Sequence, residues 1–201
     1  MVDVFGFTEE TLVGEVVTRA AAVALSYTGG LFPRGAAGQV RYLHTVQALR
    51  SGFVHDGWTA DDSDGVARTV HRGRGIAIVT AAGNELTGLP SHLFRKQPRT
   101  KWPRGEQTEA AVRTNVEQLS LFRVPGTAEV ATPQVVTWIL LQFAAETEVR
   151  SELSLPDHVD ARGFVTHWSR RFILPPLSNE GGPDDDFGDE GGDIVIDVPE
   201  K

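Results

Sequence analysis

Cationic and aromatic side chains are concentrated in one short segment near the middle of the 201-residue chain. Phe94 and Trp102 are interleaved there with five cations, and two more cations come from a glycine-rich turn upstream. Cationic side chains neutralise phosphates, and aromatic rings stack on unpaired bases. The segment therefore predicts a nucleic-acid-binding surface made of Arg72, Arg74, Arg95, Lys96, Arg99, Lys101, Trp102 and Arg104. In the alternative interpretation, Trp102 packs on the core and the charges are simply solvated.

A second motif, residues 118–122, reads Gln-Leu-Ser-Leu-Phe. At all five positions it resembles the peptide with which bacterial replication and repair proteins dock on the sliding clamp, whose preferred form is Gln-Leu-Ser/Asp-Leu-Phe. The resemblance implies a partner but no fold or activity. Leu121 and Phe122 would fill a pocket, Leu119 would add contact area, and Gln118 would fix the orientation by hydrogen bonds. Alternatively, the three apolar residues belong to the core at the end of a helix.

Catalytic motifs are not found in the sequence. It contains no glycine-rich phosphate loop with Lys-Ser/Thr, no His-Glu-x-x-His and no Gly-x-Ser-x-Gly. Residues 60–65 come near a calcium loop, but Ala60 and His71 stand where acidic ligands are needed. None of the three lysines follows an acid by two residues, as a restriction-type nuclease requires. No metal or cofactor site is predicted, and the catalytic residues, if there are any, stay unassigned.

The formal net charge of −8 is carried by the C-terminal end. Residues 178–201 contain nine acids and one base, which leaves 18 acids and 18 bases in the rest of the chain. A segment so acidic and so poor in apolar side chains cannot bury enough surface to fold. It is therefore predicted to be a disordered tail. It could solubilise the protein, compete with nucleic acid for the basic loop, or bind another protein.

Cysteine is absent from the sequence, which excludes disulfides, thiolate zinc sites and cysteine nucleophiles. The first seven residues do not resemble a signal peptide. The longest nearly apolar run, residues 135–141, is too short to span a bilayer. These features predict a cytoplasmic protein without a membrane partner.

Apolar periodicity defines the elements that must position these residues. Three helices are predicted, over residues 8–26, 39–54 and 106–118. Five strands are predicted, over residues 66–71, 76–80, 134–143, 149–155 and 164–174. Residues 83–105 form a long loop with three prolines. The order indicates one α+β domain, residues 1–177, with an antiparallel sheet of about five strands and the N-terminal helices on one face. Residues 135–141 are expected to lie between the two strands that follow them.

These patterns favour a non-enzymatic, DNA-associated accessory protein that binds nucleic acid through the basic loop and the sliding clamp through residues 118–122. One alternative is a small enzyme, such as a metal-dependent nuclease using acids and histidines near residues 61–71. Another is a protein-interaction module that acts through the acidic tail.

Overall fold

The computed structural model describes residues 1–121 and 135–178, and these residues form an α+β fold. Its helices are α1 (Val2–Phe5), α2 (Glu9–Thr11), α3 (Arg19–Leu25), α4 (Ala36–Gly52) and α5 (Glu106–Leu121). A π-helical segment, Leu12–Thr18, joins α2 to α3. The predicted helix over residues 8–26 is thus one helical run with a π-helical middle. Thr8 begins it, because its hydroxyl accepts the Thr11 N–H at 3.1 Å.

The strands form one mixed sheet. They are β1 (Thr59–Asp61), β2 (Arg68–His71), β3 (Ile76–Ala82), β4 (Val136–Ala144), β5 (Glu148–Val159), β6 (Val165–Ile173) and β7 (Leu177–Ser178). Strands β1 to β6 follow one another across the sheet in chain order, and β7 also pairs with β5. The β3–β4 pair is parallel, and the other pairs are antiparallel.

The prediction of an α+β class is confirmed, and the prediction for the sheet needs correction. The sheet is mixed because the long loop and α5 carry the chain back before β4 begins, so that β4 runs parallel to β3. Residues 136–141 lie in a central strand beside residues 149–155, as expected, but the second expected neighbour, residues 164–174, is wrong. Strand β4 lies between β3 and β5, and β6 lies beyond β5. Strand β1 is not among the predicted strands. Apart from Ser178, the predicted tail lies outside the described residues.

The N-terminal helices cover one face of the sheet. Alternating residues of the central strands point toward these helices, among them Ile78, Trp138 and Leu153. The Phe5 ring of α1 packs edge-on against Trp138, with 4.9 Å between ring centroids. Burial of each such side chain contributes about 1.5–3 kcal/mol. This face therefore holds the larger core. Among the described residues, no helix is both long and apolar enough to cross a membrane.

Helix α5 lies on the opposite face, where Val79, Ile139 and Trp168 belong to a second, smaller core. Asn115 of α5 is fully buried and fixes the helix there. Its side-chain N–H groups donate to the carbonyls of Thr137 at 2.9 Å and Pro156 at 3.1 Å, and its oxygen accepts the Thr137 N–H at 2.9 Å. The amide thus bridges β4 and β5 beyond the last paired residues of their ladder.

A buried ion pair holds the long loop on this second face. Glu152 of β5 is 0% exposed and pairs with Arg171 of β6. The carboxylate also accepts the Gly88 backbone N–H at 2.8 Å. The guanidinium donates to the Leu89 carbonyl at 3.0 Å and to the Ser91 hydroxyl at 2.6 Å. Each member of the pair therefore bonds its partner on the neighbouring strand and also bonds the loop.

Replacing Arg171 by Met should lower the free energy of unfolding by about 3–5 kcal/mol, because Glu152 would stay buried without a cation. Urea unfolding at neutral pH measures this loss. Arg170→Met changes an exposed cation on the same strand and should cost about 0.5 kcal/mol or less. Equal losses in the two variants would show that the ion pair does not hold the loop.

Candidate nucleic-acid interface

The last part of the long loop bridges two strands that are not neighbours in the sheet. The backbone N–H of Lys101 donates to the Ala82 carbonyl at the end of β3, at 2.8 Å. The N–H of Thr100 donates to the Val165 carbonyl at the start of β6, at 3.1 Å, and the Thr100 hydroxyl accepts the Val165 N–H at 3.2 Å. Residues 99–104 therefore have a fixed backbone although they lie in a loop, and they link the end of β3 to the start of β6.

The turn between β5 and β6 packs against the same segment. Asp160 accepts the N–H groups of Arg162 and Phe164, each at 2.9 Å. These bonds, that of Phe164 most strongly, hold the pKa of the Asp160 carboxyl below its usual range. Gly163 has a φ of +83°, and a Cβ there would lie 3.0 Å from the Arg104 carbonyl oxygen. Only glycine allows this approach, which lets the Arg104 N–H donate to the Gly163 carbonyl at 2.7 Å.

Trp102 is the exposed tryptophan of the chain, with 65% of its surface accessible. The other three, Trp58, Trp138 and Trp168, are 1%, 3% and 6% exposed. The Lys101 ammonium lies 5.7 Å from the centroid of the Trp102 ring. This arrangement presents an indole face to solvent beside a cation, as a stacking platform for bases requires. The interpretation of Trp102 as a core residue does not fit this exposure.

Cations surround Phe164 on the adjoining turn. The guanidinium of Arg99 lies 4.4 Å from the centroid of the Phe164 ring, and that of Arg162 lies 5.5 Å from it. Such contacts orient guanidinium groups without neutralising their charge. Asp160 is the nearby acid, 3.9 Å from Arg162, but it also accepts two backbone N–H groups. The cations of this turn therefore remain available to an external anion.

Helix α4 brings a further arginine to the neighbourhood of the end of β3. Arg41 lies one turn before Thr45, whose hydroxyl accepts the Gln142 side-chain N–H at 3.1 Å, and Gln142 stands opposite Ala82. Burial lowers the pKa of both Arg41 and Arg104. The Nε of Arg41 is buried and has no hydrogen-bond partner among the described residues. A partly desolvated guanidinium without a carboxylate favours an external anion as its partner.

We name this surface the basic face; it consists of Arg41, Arg99, Lys101, Trp102, Arg104 and Arg162. Four of these residues were predicted from the sequence. Arg162 and Arg41 were missed, because they lie about 60 residues away on either side and only the fold brings them close. The sequence gives one weak indication that Arg162 is exposed, namely its place in an Asp-Ala-Arg-Gly turn.

The other predicted nucleic-acid residues divide into two groups. Arg95 and Lys96 are exposed in the same long loop. Arg72 and Arg74 lie in the turn before β3, at the opposite end of a seven-residue strand about 20 Å long. The Arg74 guanidinium donates to the Asp3 carbonyl at 3.3 Å. The structure therefore does not bring these two arginines to the basic face.

The clamp-like motif begins in helix α5, whose last four residues are Gln118 to Leu121. Phe122 and the side chains of Leu119, Ser120 and Leu121 lie outside the described residues. An extended docked form would require this last turn of α5 to unwind.

Asp61, which lies in the region considered for a nuclease, is hydrogen-bonded and ion-paired to neighbouring residues. The Asp61 carboxylate accepts the Ser63 N–H at 2.9 Å and pairs with Arg68 at 3.3 Å. The hydrogen bonds from Ser63, more than the Arg68 charge, lower the pKa of Asp61. His158 and His167 face each other across β5 and β6, with 5.2 Å between ring centroids. Within residues 1–121 and 135–178, no three histidines or acids are grouped so that they could hold a metal ion.

Comparisons of the chain with models of protein families, with curated proteins and with solved structures found no match. Its function is therefore inferred from its own geometry and charges.

Proposed function

We propose that this protein binds nucleic acid through the basic face and acts as a non-enzymatic, DNA-associated accessory protein. The observation that carries the proposal is the exposed Trp102 ring beside Lys101. The backbone on both sides of that ring is hydrogen-bonded to β3 and to the β5–β6 turn. The ring is thus held outward by the fold, and its exposure is not an accident of a free loop.

The chemistry of the basic face suits a single strand better than a duplex. Stacking on an indole needs an unpaired base and contributes about 1–3 kcal/mol per base. Guanidinium groups bind phosphates through paired hydrogen bonds, while Lys101 supplies a point charge. Arg99 and Arg162 both lie against the Phe164 ring, so that two cations are grouped at this turn. A strand that stacks on Trp102 would therefore meet phosphate-binding groups on its adjacent nucleotides.

Trp102→Ala should weaken binding of a single-stranded oligonucleotide about 5- to 100-fold, because the stacking platform is lost. Trp102→Phe keeps an aromatic face and should retain most of the affinity. Fluorescence anisotropy of a labelled oligonucleotide at low salt measures both. Leu31→Ala is a suitable control, since Leu31 is an exposed apolar residue in the loop between α3 and α4. If Trp102→Ala bound as well as the control, Trp102 would not be a stacking platform.

Removing two exposed cations, Lys101→Ala with Arg162→Ala, should lower the affinity and flatten its salt dependence. The slope of log affinity against log salt should fall by about 0.7 for each phosphate contact that is lost. The matched control is Arg72→Ala with Arg170→Ala, which removes the same charge away from the basic face. An equal loss in the control would mean that binding follows total charge rather than this surface.

We propose the bacterial sliding clamp as a second partner, because residues 118–122 match the preferred clamp-binding peptide at every position. The motif follows Asn115, which anchors α5 to the sheet, by one helical turn. Unwinding the last turn of α5 from Gln118 onward would leave that anchor in place. Docking is therefore compatible with an intact fold.

Leu121→Ala with Phe122→Ala should abolish capture by the clamp, because these anchors supply most of the apolar contact. The melting temperature should change little if the anchors are not part of the core. Core anchors would leave cavities that cost about 4 kcal/mol or more. A pull-down measures the first outcome and calorimetry the second. A large fall in the melting temperature of the double variant would contradict the proposed clamp binding. So would a failure of the clamp to capture the wild-type protein.

A further inference from the structure

The acidic end of the chain contains a short segment that complements the basic face. Residues 184–190 read Asp-Asp-Asp-Phe-Gly-Asp-Glu, which gives five carboxylates around one aromatic ring. A single-stranded nucleic acid offers the same combination, with anionic groups spaced along a chain and flat rings between them. The basic face has the opposite groups, five cations and an exposed indole.

The described chain ends near the part of the basic face that is bonded to the end of β3. Strand β7 places Leu177 opposite Val149, which stands opposite Ala144 at the end of β4. The end of β3, Ala82, lies beside Gln142 in the same region and accepts the Lys101 N–H. From Ala82 to Leu177 the path crosses three strand spacings, or about 15 Å. The tail therefore departs close to the surface that it complements.

The length of the intervening chain fits this distance. Six residue steps separate Ser178 from Asp184, and twelve separate it from Glu190. At about 3.3–3.6 Å per residue, these steps reach at most about 20 Å and 40 Å. The acidic segment can therefore cover the basic face without strain. A segment tethered at a matching distance has an effective concentration on the order of millimolar, which favours contact within one molecule.

We propose that residues 184–190 occupy the basic face when nucleic acid is absent, with their carboxylates on its cations and Phe187 against Trp102. The segment then competes with nucleic acid for the same groups, so that only ligands strong enough to displace it are bound. The competition rests on the proposed function, whereas the contact between tail and face does not.

Quenching of tryptophan fluorescence by acrylamide tests the contact in the full chain, because Trp102 alone among the four tryptophans is exposed. The test variant is D184N/D185N/D186N/D189N/E190Q, and the control is E180Q/D193N/D197N/E200Q. At low salt, quenching should be about twofold stronger in the test variant than in the wild type or the control. At about 1 M salt, where the Debye length is about 3 Å, all three should be quenched alike. Equal quenching of wild type and test variant at low salt would overturn the proposal.

Repeating the measurement over a range of protein concentrations separates a contact within one molecule from one between two copies. Protection of Trp102 that is independent of concentration supports the proposal, and protection that grows with concentration refutes it.

Oligonucleotide affinity then tests the competition. The test variant should bind a single-stranded oligonucleotide about tenfold more tightly than the control does, because the tethered competitor is lost. If Trp102 is protected but neither variant binds nucleic acid, the contact stands and the proposed function fails. If both variants bind with equal affinity, the competition is wrong and the proposed function stands.

Discussion

The rest of the structure depends on the burial of the Glu152 carboxylate, because a buried carboxylate needs hydrogen-bond and ion-pair partners around it. An ion removed from water costs several kcal/mol unless its lone pairs are satisfied. The described partners of Glu152 come from three places: Arg171 on the next strand, Ser154 on its own strand, and the Gly88 backbone of the long loop. The sheet and the loop therefore cannot be formed independently. The loop must return to β5 and β6 before the carboxylate is satisfied.

This constraint explains how a loop of more than twenty residues can present side chains in fixed positions. Its first part is held by the ion pair and its last part by backbone bonds to Ala82, Val165 and Gly163. Between these two attachments, Arg95 and Lys96 remain exposed. Loops commonly carry binding residues on a rigid scaffold. Here the loop is itself part of the scaffold, because residues 99–104 are hydrogen-bonded to both β3 and β6.

The sequence alone predicted the longer helical runs and most strands, because their apolar periodicity reports directly on burial. It predicted neither the four-residue α1 nor the two-residue β7. It missed β1, a three-residue polar strand whose pairing with β2 depends on the fold. It also missed the parallel β3–β4 pair, since strand order across a long connection leaves no local pattern. In the candidate site, Arg72 and Arg74 were grouped with the basic loop by nearness in sequence, although β3 separates them from it. Arg41 gave no sequence signal, because only tertiary structure places its helix, through Thr45, against Gln142.

The parallel β3–β4 pair has a consequence for the order in which the chain folds. Strands β4, β5 and β6 are joined by connections of a few residues, whereas about 50 residues separate β3 from β4. Closing the longer connection costs about 2 kcal/mol more entropy than closing a short one. The C-terminal meander can therefore nucleate early, and β3 joins it late. Because residues 99–104 bridge these two halves, the basic face is assembled late, and a partly folded chain does not yet hold its cations and Trp102 together.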